Sequence, residues 1–228
     1  MNDFLPVRGV LFDLDGTLID SYDAILCSMR ATLERAFPDR TFTDAELMAG
    51  VGTPLLDQMV SFARGDAERG AELTRAYREH NDDVHDEKVH AFPGTREALE
   101  SLREQGIRMG IVTSKRSMSA ERGLREAGIA DLLEFVIAPD TWPEHKPNPG
   151  PVLHGCDLLE LPPAACLYVG DSRFDIQAGT AAGCRTVAAL WGMFPHEVTQ
   201  EQPTYALQDI TELPSLVAGC REAEPLCW

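Results

Sequence analysis

Apolar residues follow two different rhythms along this chain, and the change between them divides the sequence. Short, predominantly apolar runs at 10–12, 107–112, 134–138, 167–170 and 186–190 read as strands buried on both faces. Helix-forming stretches at 95–105, 117–127, 149–159 and 175–182 alternate with them. Such βα alternation predicts an α/β fold, a doubly wound parallel sheet with helices on both faces. Residues 20–89 behave otherwise. Ala24, Ile25, Met29 and Leu33 share one 3.6-residue stripe, Thr43-Asp44-Ala45-Glu46 carries N-capping chemistry, and 71–77 continue in helix formers. The expected organisation is a core of 1–19 and 90–228, interrupted by an all-helical insert at 20–89 whose hinges fall near 17–22 and 89–95. From Pro195 onward the pattern is weak and proline-bearing, which predicts a last helix turn and an irregular end. Neither an internal repeat nor a low-complexity segment occurs.

Composition narrows the functional classes. A chain of 228 residues can bury a full core, either as one domain with a sizeable insert or as two small domains. Its net charge of −17 sets up a field that repels polyanions, which argues against general nucleic-acid and membrane-surface binding. An anionic small molecule would have to be met by local cations. The sequence lacks an apolar run of about 18 residues, and Met1-Asn2-Asp3 lacks the basic start of a signal peptide, so a cytoplasmic location is expected. Cys27, Cys156, Cys166, Cys184, Cys220 and Cys227 form no Cys-x-x-Cys pair and read as reduced thiols rather than a zinc site or a disulfide framework. His80, His85 and His90 recur every five residues, a spacing that fits neither one helix face nor a zinc pattern, and are expected to be solvated.

Chemistry concentrates where strands end. Val10-Leu11-Phe12 runs into Asp13-Leu14-Asp15-Gly16-Thr17, so two carboxylates stand at a C-terminal strand edge, where open α/β sheets bind ligands. Two residues apart, they would point to one side of a regular strand. Alone, the segment reads equally well as a turn with capping aspartates. Three further segments change that balance. The strand at 107–112 ends in Thr113-Ser114-Lys115, hydroxyls that by themselves could cap the next helix. Lys146 lies in Glu144-His145-Lys146-Pro147-Asn148-Pro149, where prolines restrict the backbone. Leu167 to Gly170 leads into Asp171 and then Asp175, the latter by itself an ordinary first-turn acid. Together they supply a nucleophile or base, a partner acid, hydroxyl and ammonium groups for phosphate oxygens, and carboxylates for a hard cation.

In that order, Asp13-Leu14-Asp15-Gly16-Thr17, Thr113, Lys146 and Gly170-Asp171-Ser172-Arg173-Phe174-Asp175 resemble the four motifs of the haloacid dehalogenase superfamily, over nearly the whole chain. Val112-Thr113-Ser114-Lys115 and Phe92-Pro93-Gly94 are similar to its small bacterial phosphatases of the phosphoglycolate phosphatase and pyrophosphatase kind. The resemblance implies a Rossmann-like core with a helical cap and Mg²⁺-dependent hydrolysis of a small phosphomonoester, 2-phosphoglycolate first. Asp13 would attack phosphorus to form an aspartyl phosphate, and Asp15 would handle the proton of the leaving group and of the incoming water. Thr113, the backbone around Ser114, and Lys146 would hold the phosphoryl oxygens. The side chains of Asp13 and Asp171 and the carbonyl of Asp15 would hold Mg²⁺, which suits an all-oxygen ligand set. Asp175 would support the metal site or Lys146, and Lys115 and Arg173 are further cations for the substrate.

The loop Ala49-Gly50-Val51-Gly52-Thr53-Pro54 resembles the specificity loop of phosphoglycolate phosphatases, which assigns Gly52 and Thr53 to substrate binding; the plain alternative is a helix-helix turn. The implied partner is a small phosphorylated metabolite, bound by a monomer or homodimer. An inorganic pyrophosphatase and a phosphosugar mutase of the same superfamily are the near alternatives. Asp15 argues against a haloalkanoate dehalogenase, chain length against a receiver-type signalling domain, and the presence of every motif residue against a catalytically silent protein.

Overall fold

The computed structural model describes residues 5–222. After β1 (Gly9–Phe12) and β2 (Ile19–Asp20) come four helices, α1 (Tyr22–Ala36), α2 (Asp44–Met48), α3 (Leu55–Phe62) and α4 (Ala67–Lys88), and the chain returns through β3 (His90–Ala91). Helix and strand then alternate: α5 (Thr95–Glu104), β4 (Arg108–Val112), α6 (Ser117–Glu126), β5 (Val136–Ile137), α7 (Gly150–Leu158) and β6 (Cys166–Gly170). The chain closes with α8 (Arg173–Ala182), β7 (Arg185–Ala189), α9 (Pro195–Gln200), β8 (Tyr205–Leu207) and α10 (Leu213–Glu222).

Six of the strands form one parallel sheet in the order β5-β4-β1-β6-β7-β8. Every residue of β1, β6 and β7 is buried. Val10 and Phe12 of β1 pack with Leu99, Leu102 and Ile111 on one face, whereas Leu11 packs with Val152, Cys156 and Tyr168 on the other. Alternate residues of a strand leave on opposite sides, so a sheet covered by helices on both sides needs apolar residues at every position. That is why the strands read as apolar runs rather than as an alternation. Connections lead from β1 toward β4 and β5, and from β6 toward β7 and β8, so the sheet reverses its winding between β1 and β6. Such a switch point opens a crevice beyond the strands' carboxyl ends.

The helices α1 to α4 share an apolar cluster of their own, built on Met29, Leu33, Leu47, Met59 and Leu73. Thr43 and Glu46 form the expected reciprocal cap at the start of α2. The two crossings between this insert and the sheet are tied together, because β2 and β3 pair antiparallel, Ile19 opposite Ala91. No helix among the described residues is long and apolar enough to cross a membrane. The five described cysteines are free thiols, and Cys227 lies outside the described residues.

Two expectations are corrected. The segment beyond Pro195 is not irregular: β8 pairs with β7, and α10 buries Leu213 and Val217 completely in the main core. β8 is a three-residue edge strand with a single buried residue, Leu207, too short to show a period. His85 is not solvated but 1% exposed, and an added Cβ on Gly123 of α6 would stand 3.8 Å from its Nε2. Five residues turn a helix by about 140°, so His80 and His85 of α4 meet different surroundings, and His90 lies beyond the helix in β3. His80 contacts Ser28 Oγ at 3.1 Å, and His90 is exposed.

Burial of α10 makes a stability prediction. Val217→Asp is expected to cost about 3 kcal/mol or more, because it leaves an unpaired carboxylate in the main core. Urea unfolding measures it; an irregular tail would tolerate the change within about 0.5 kcal/mol.

Candidate active site

β1 ends at Phe12 and hands Asp13 to the crevice, and β6 ends at Gly170 and hands over Asp171. Lys146 arrives from the loop before α7, and Asp175 from the first turn of α8. All four are buried: Asp13 is 5%, Lys146 4%, Asp171 2% and Asp175 0% exposed. The Lys146 ammonium lies 2.6 Å from Asp175 Oδ1 and 2.9 Å from Asp13 Oδ1, so it links the two acids.

Asp175 is the best satisfied of the three. Its Oδ1 also lies 3.1 Å from the Tyr168 hydroxyl, and its Oδ2 accepts from the Ser172 amide at 3.0 Å and the Ser172 hydroxyl at 2.5 Å. Asp171 Oδ2 accepts from the Met193 amide at 2.7 Å. Gly16, at φ 81°, and Gly192 flank Asp171 so closely that a Cβ on either would collide with its carboxylate. Glycine at these two positions lets the Asp13–Thr17 turn and the loop after β7 close over that acid.

Asp13 and Asp15 line one cavity, yet they take different partners. The strand stops before them, so strand periodicity no longer governs their directions. Asp15 Oδ1 accepts from Ser21 Oγ at 2.6 Å and from the Lys115 ammonium at 2.8 Å, and its Oδ2 takes no hydrogen bond from a described residue. Thr113, 6% exposed, and Ser114 face the same cavity from the end of β4. Ser114 Oγ donates at 2.6 Å to the carbonyl of Gly52, which brings the loop between α2 and α3 onto the sheet. Gly52, at φ 102°, packs so near Phe174 that an added Cβ would be 2.8 Å from its ring. Thr53 also lines the cavity, whose volume is about 450 Å³.

Three carboxylates facing one ammonium leave this crevice short of positive charge. Burial, reinforced by the charge of Asp175, pushes Asp13 up to about 7 despite the pull of Lys146. Burial with the charges of Asp175 and Asp13 raises Asp171 well above the ordinary carboxylate range. Burial pulls the Lys146 ammonium down, but Asp13 and Asp175 outweigh it, and its pKa ends above the ordinary lysine value. Oxygens of Asp13, Asp171 and Asp175 approach within 4.8 Å of one another. A divalent cation fits this set by charge and by ligand type. Asp13 and Asp171 offer it the freer oxygens, since Asp175 is already saturated by Lys146, Tyr168 and Ser172.

Several contributors carried no motif. Ser21 holds Asp15 from the start of the insert, and Tyr168 is an alternate strand position indistinguishable in sequence from core. Met193 follows a glycine after a strand, the one local sign that its amide is presented to a neighbour. Arg78 of α4 and Arg116 at the start of α6 line the cavity. Arg173 does not: its guanidinium lies 4.8 Å from the Phe174 ring, in a separate cleft with Asp44 and Glu197.

Comparison with known proteins agrees with this geometry. Residues 10–189 match the family model for haloacid dehalogenase-like hydrolases. The pyrophosphatase PpaX of Halalkalibacterium halodurans is 33% identical over 214 residues, covering 93% of this chain and 98% of its own. A crystal structure from Haemophilus somnus, of a predicted phosphoglycolate phosphatase, superposes with a TM-score of 0.81 at 25% identity, covering 93% and 98% of the two chains. A Bacteroides fragilis structure, assigned to the haloacid dehalogenase-like hydrolases, gives 0.84 at 28% identity over 91% and 99%.

The raised acids predict a pH dependence of stability. Asp13 keeps its proton in the folded chain to about pH 7, whereas the unperturbed group releases it near 3.8. The folded state therefore binds more protons across that window, and these acids lower stability as pH rises through it. In chelator, the unfolding midpoint is expected to fall between pH 5 and 8, and Asp171→Asn to flatten the fall. An unchanged slope would locate the strain outside this cluster.

Proposed function

The chain belongs to the haloacid dehalogenase-like hydrolases, and from that premise we propose that it is a Mg²⁺-dependent phosphatase of a small phosphate ester, 2-phosphoglycolate being favoured. The observation that carries this reading is the convergence of Asp13, Lys146, Asp171 and Asp175 at one buried crevice that Asp15 and Thr113 also line. A second reading, inorganic diphosphate as substrate, is supported by the pyrophosphatase name of the relative that is 33% identical.

A carboxylate needs no base to act as nucleophile at neutral pH once it is ionised. Asp13 attacks phosphorus in line; the bond to the leaving oxygen breaks, and the phosphoryl group becomes an aspartyl phosphate. Asp15 gives a proton to the leaving oxygen and then takes one from the water that splits the aspartyl phosphate, releasing phosphate and restoring Asp13. Ser21 and Lys115 fix one oxygen of Asp15, which leaves the other for this exchange. Thr113, the backbone around Ser114, and Lys146 hold the phosphoryl oxygens in place as charge redistributes. Asp175 is a positioning residue: it anchors Lys146 through a 2.6 Å ion pair. Asp13, Asp171 and the carbonyl of Asp15 would hold Mg²⁺, which supplies charge neutralisation between nucleophile and phosphate. The insert loop with Gly52 and Thr53 would close on the leaving group and exclude water.

Phosphate release is expected to vanish in chelator and return with Mg²⁺, and Ca²⁺ is expected to inhibit through its looser coordination. Full activity in chelator would sink the metal assignment. Asp13→Asn should abolish turnover. Asp15→Asn should slow an alkyl phosphate far more than an aryl phosphate with a good leaving group, and equal slowing would remove Asp15 from the acid role.

A further inference from the structure

Arg78 and Arg116 stand in the wall of the cavity, and neither guanidinium makes a side-chain hydrogen bond or ion pair among the described residues. Arg78 lies on α4 of the insert, on the stretch where Tyr77, Asn81 and Asp82 also reach the cavity. Arg116 lies on the sheet side, three residues after Thr113, where α6 begins. Both are half-buried, and neither makes an ion pair among the described residues. The acids whose charge reaches Arg78, Asp140 and Asp82, place their hydrogen bonds and ion pairs on other groups. Asp82 pairs with Arg122 at 3.7 Å, and Asp140 accepts from the Ser117 amide at 2.9 Å and the Ser117 hydroxyl at 2.6 Å. Lys115, the other cation in this wall, is taken by Asp15 at 2.8 Å. Arg116 Nε is shut from solvent with no acceptor. Burial and the positive charge of Arg116 depress the Arg78 pKa and outweigh the opposing charges of Asp140 and Asp82, so the two guanidiniums feel each other.

A chain with net charge −17 has ample carboxylate to pair with both arginines, yet among the described residues no carboxylate forms an ion pair with either. Guanidinium forks match carboxylate and phosphate oxygens bidentately, and a buried donor without an acceptor costs free energy until one arrives. We infer that Arg78 and Arg116 form an anion clamp for the leaving group, so that the preferred substrate carries a second anion, carboxylate or phosphate, beyond the phosphoryl group that is transferred. This rests on the phosphatase reading above and sharpens it. A sugar monophosphate, whose leaving group is neutral, would leave both guanidiniums unanswered. An anionic leaving group would engage one arginine from each side of the cavity, and so bind the insert to the sheet.

The test is a comparison of kcat/KM, with Mg²⁺, for 2-phosphoglycolate, inorganic diphosphate, glucose 1-phosphate and p-nitrophenyl phosphate. It uses the full chain and its variants Arg78→Ala, Arg116→Ala, Arg78→Lys and Arg116→Lys. Each alanine variant is expected to lower the ratio of an anionic-leaving-group substrate to p-nitrophenyl phosphate by about tenfold or more. Each lysine variant is expected to recover part of that loss, which a general folding defect would not do. A drop confined to 2-phosphoglycolate identifies a carboxylate as the held anion, and one confined to diphosphate identifies a phosphate. If p-nitrophenyl phosphate is hydrolysed but the ratios do not move, the clamp is overturned and the phosphatase reading stands. If the unmodified protein releases phosphate from none of the four, that reading fails and the clamp falls with it.

Discussion

The Lys146 ammonium, sunk between Asp13 and Asp175, is the contact on which the crevice depends. Three carboxylates brought together out of water repel one another, and the lysine joins two of them while reaching neither solvent nor a third acid. Nearly everything nearby serves that arrangement. Tyr168 and Ser172 take up the remaining oxygen capacity of Asp175 beside the lysine, and the Met193 amide with two glycines encloses Asp171. The residual negative charge is what makes the pocket receptive to a cation, and burial is what keeps that charge from being dissipated by water.

The helical insert contributes through a few contacts rather than a broad interface at the crevice. Ser114 reaches the Gly52 carbonyl, Ser21 reaches Asp15, and Arg78 faces the same cavity as Arg116. Two of these link the insert to groups at the ends of β1 and β4. Movement of the insert would therefore be felt at Asp15 and in the Thr113-Ser114 loop, the places where leaving group and phosphoryl group are handled in the proposed reaction.

Much of this was legible in the sequence, for reasons that can be named. Strands covered on both faces must be apolar throughout, and acids at their ends have no packing role, so Asp13 and Asp171 stood out against Phe12 and Val169. The insert declared itself by a change of period. The tail was legible only in part: β8 is an edge strand with one buried residue and shows no period, whereas Leu213, Leu216, Val217 and Cys220 fall at helical spacing and pack on the main core. Cross-domain partners were equally silent: Ser21, Arg78 and Arg116 acquire meaning only when α1, α4 and α6 converge on one cavity. Arg173, a member of the fourth motif, was drawn toward the site by its place between Asp171 and Asp175, whereas the helix turns it away onto Phe174.

The antiparallel pairing of Ile19 with Ala91 and of Asp20 with His90 has an evolutionary reading. Because the outgoing and returning chains are already hydrogen-bonded to each other, everything between them behaves as a loop closed at its neck. Such a module can lengthen, shrink or be exchanged for another without altering the register of β1 against β4 and β6. Variation in what is recognised is thereby uncoupled from inheritance of the reaction chemistry, and a lineage can acquire new substrates by grafting at one neck while its sheet is left untouched.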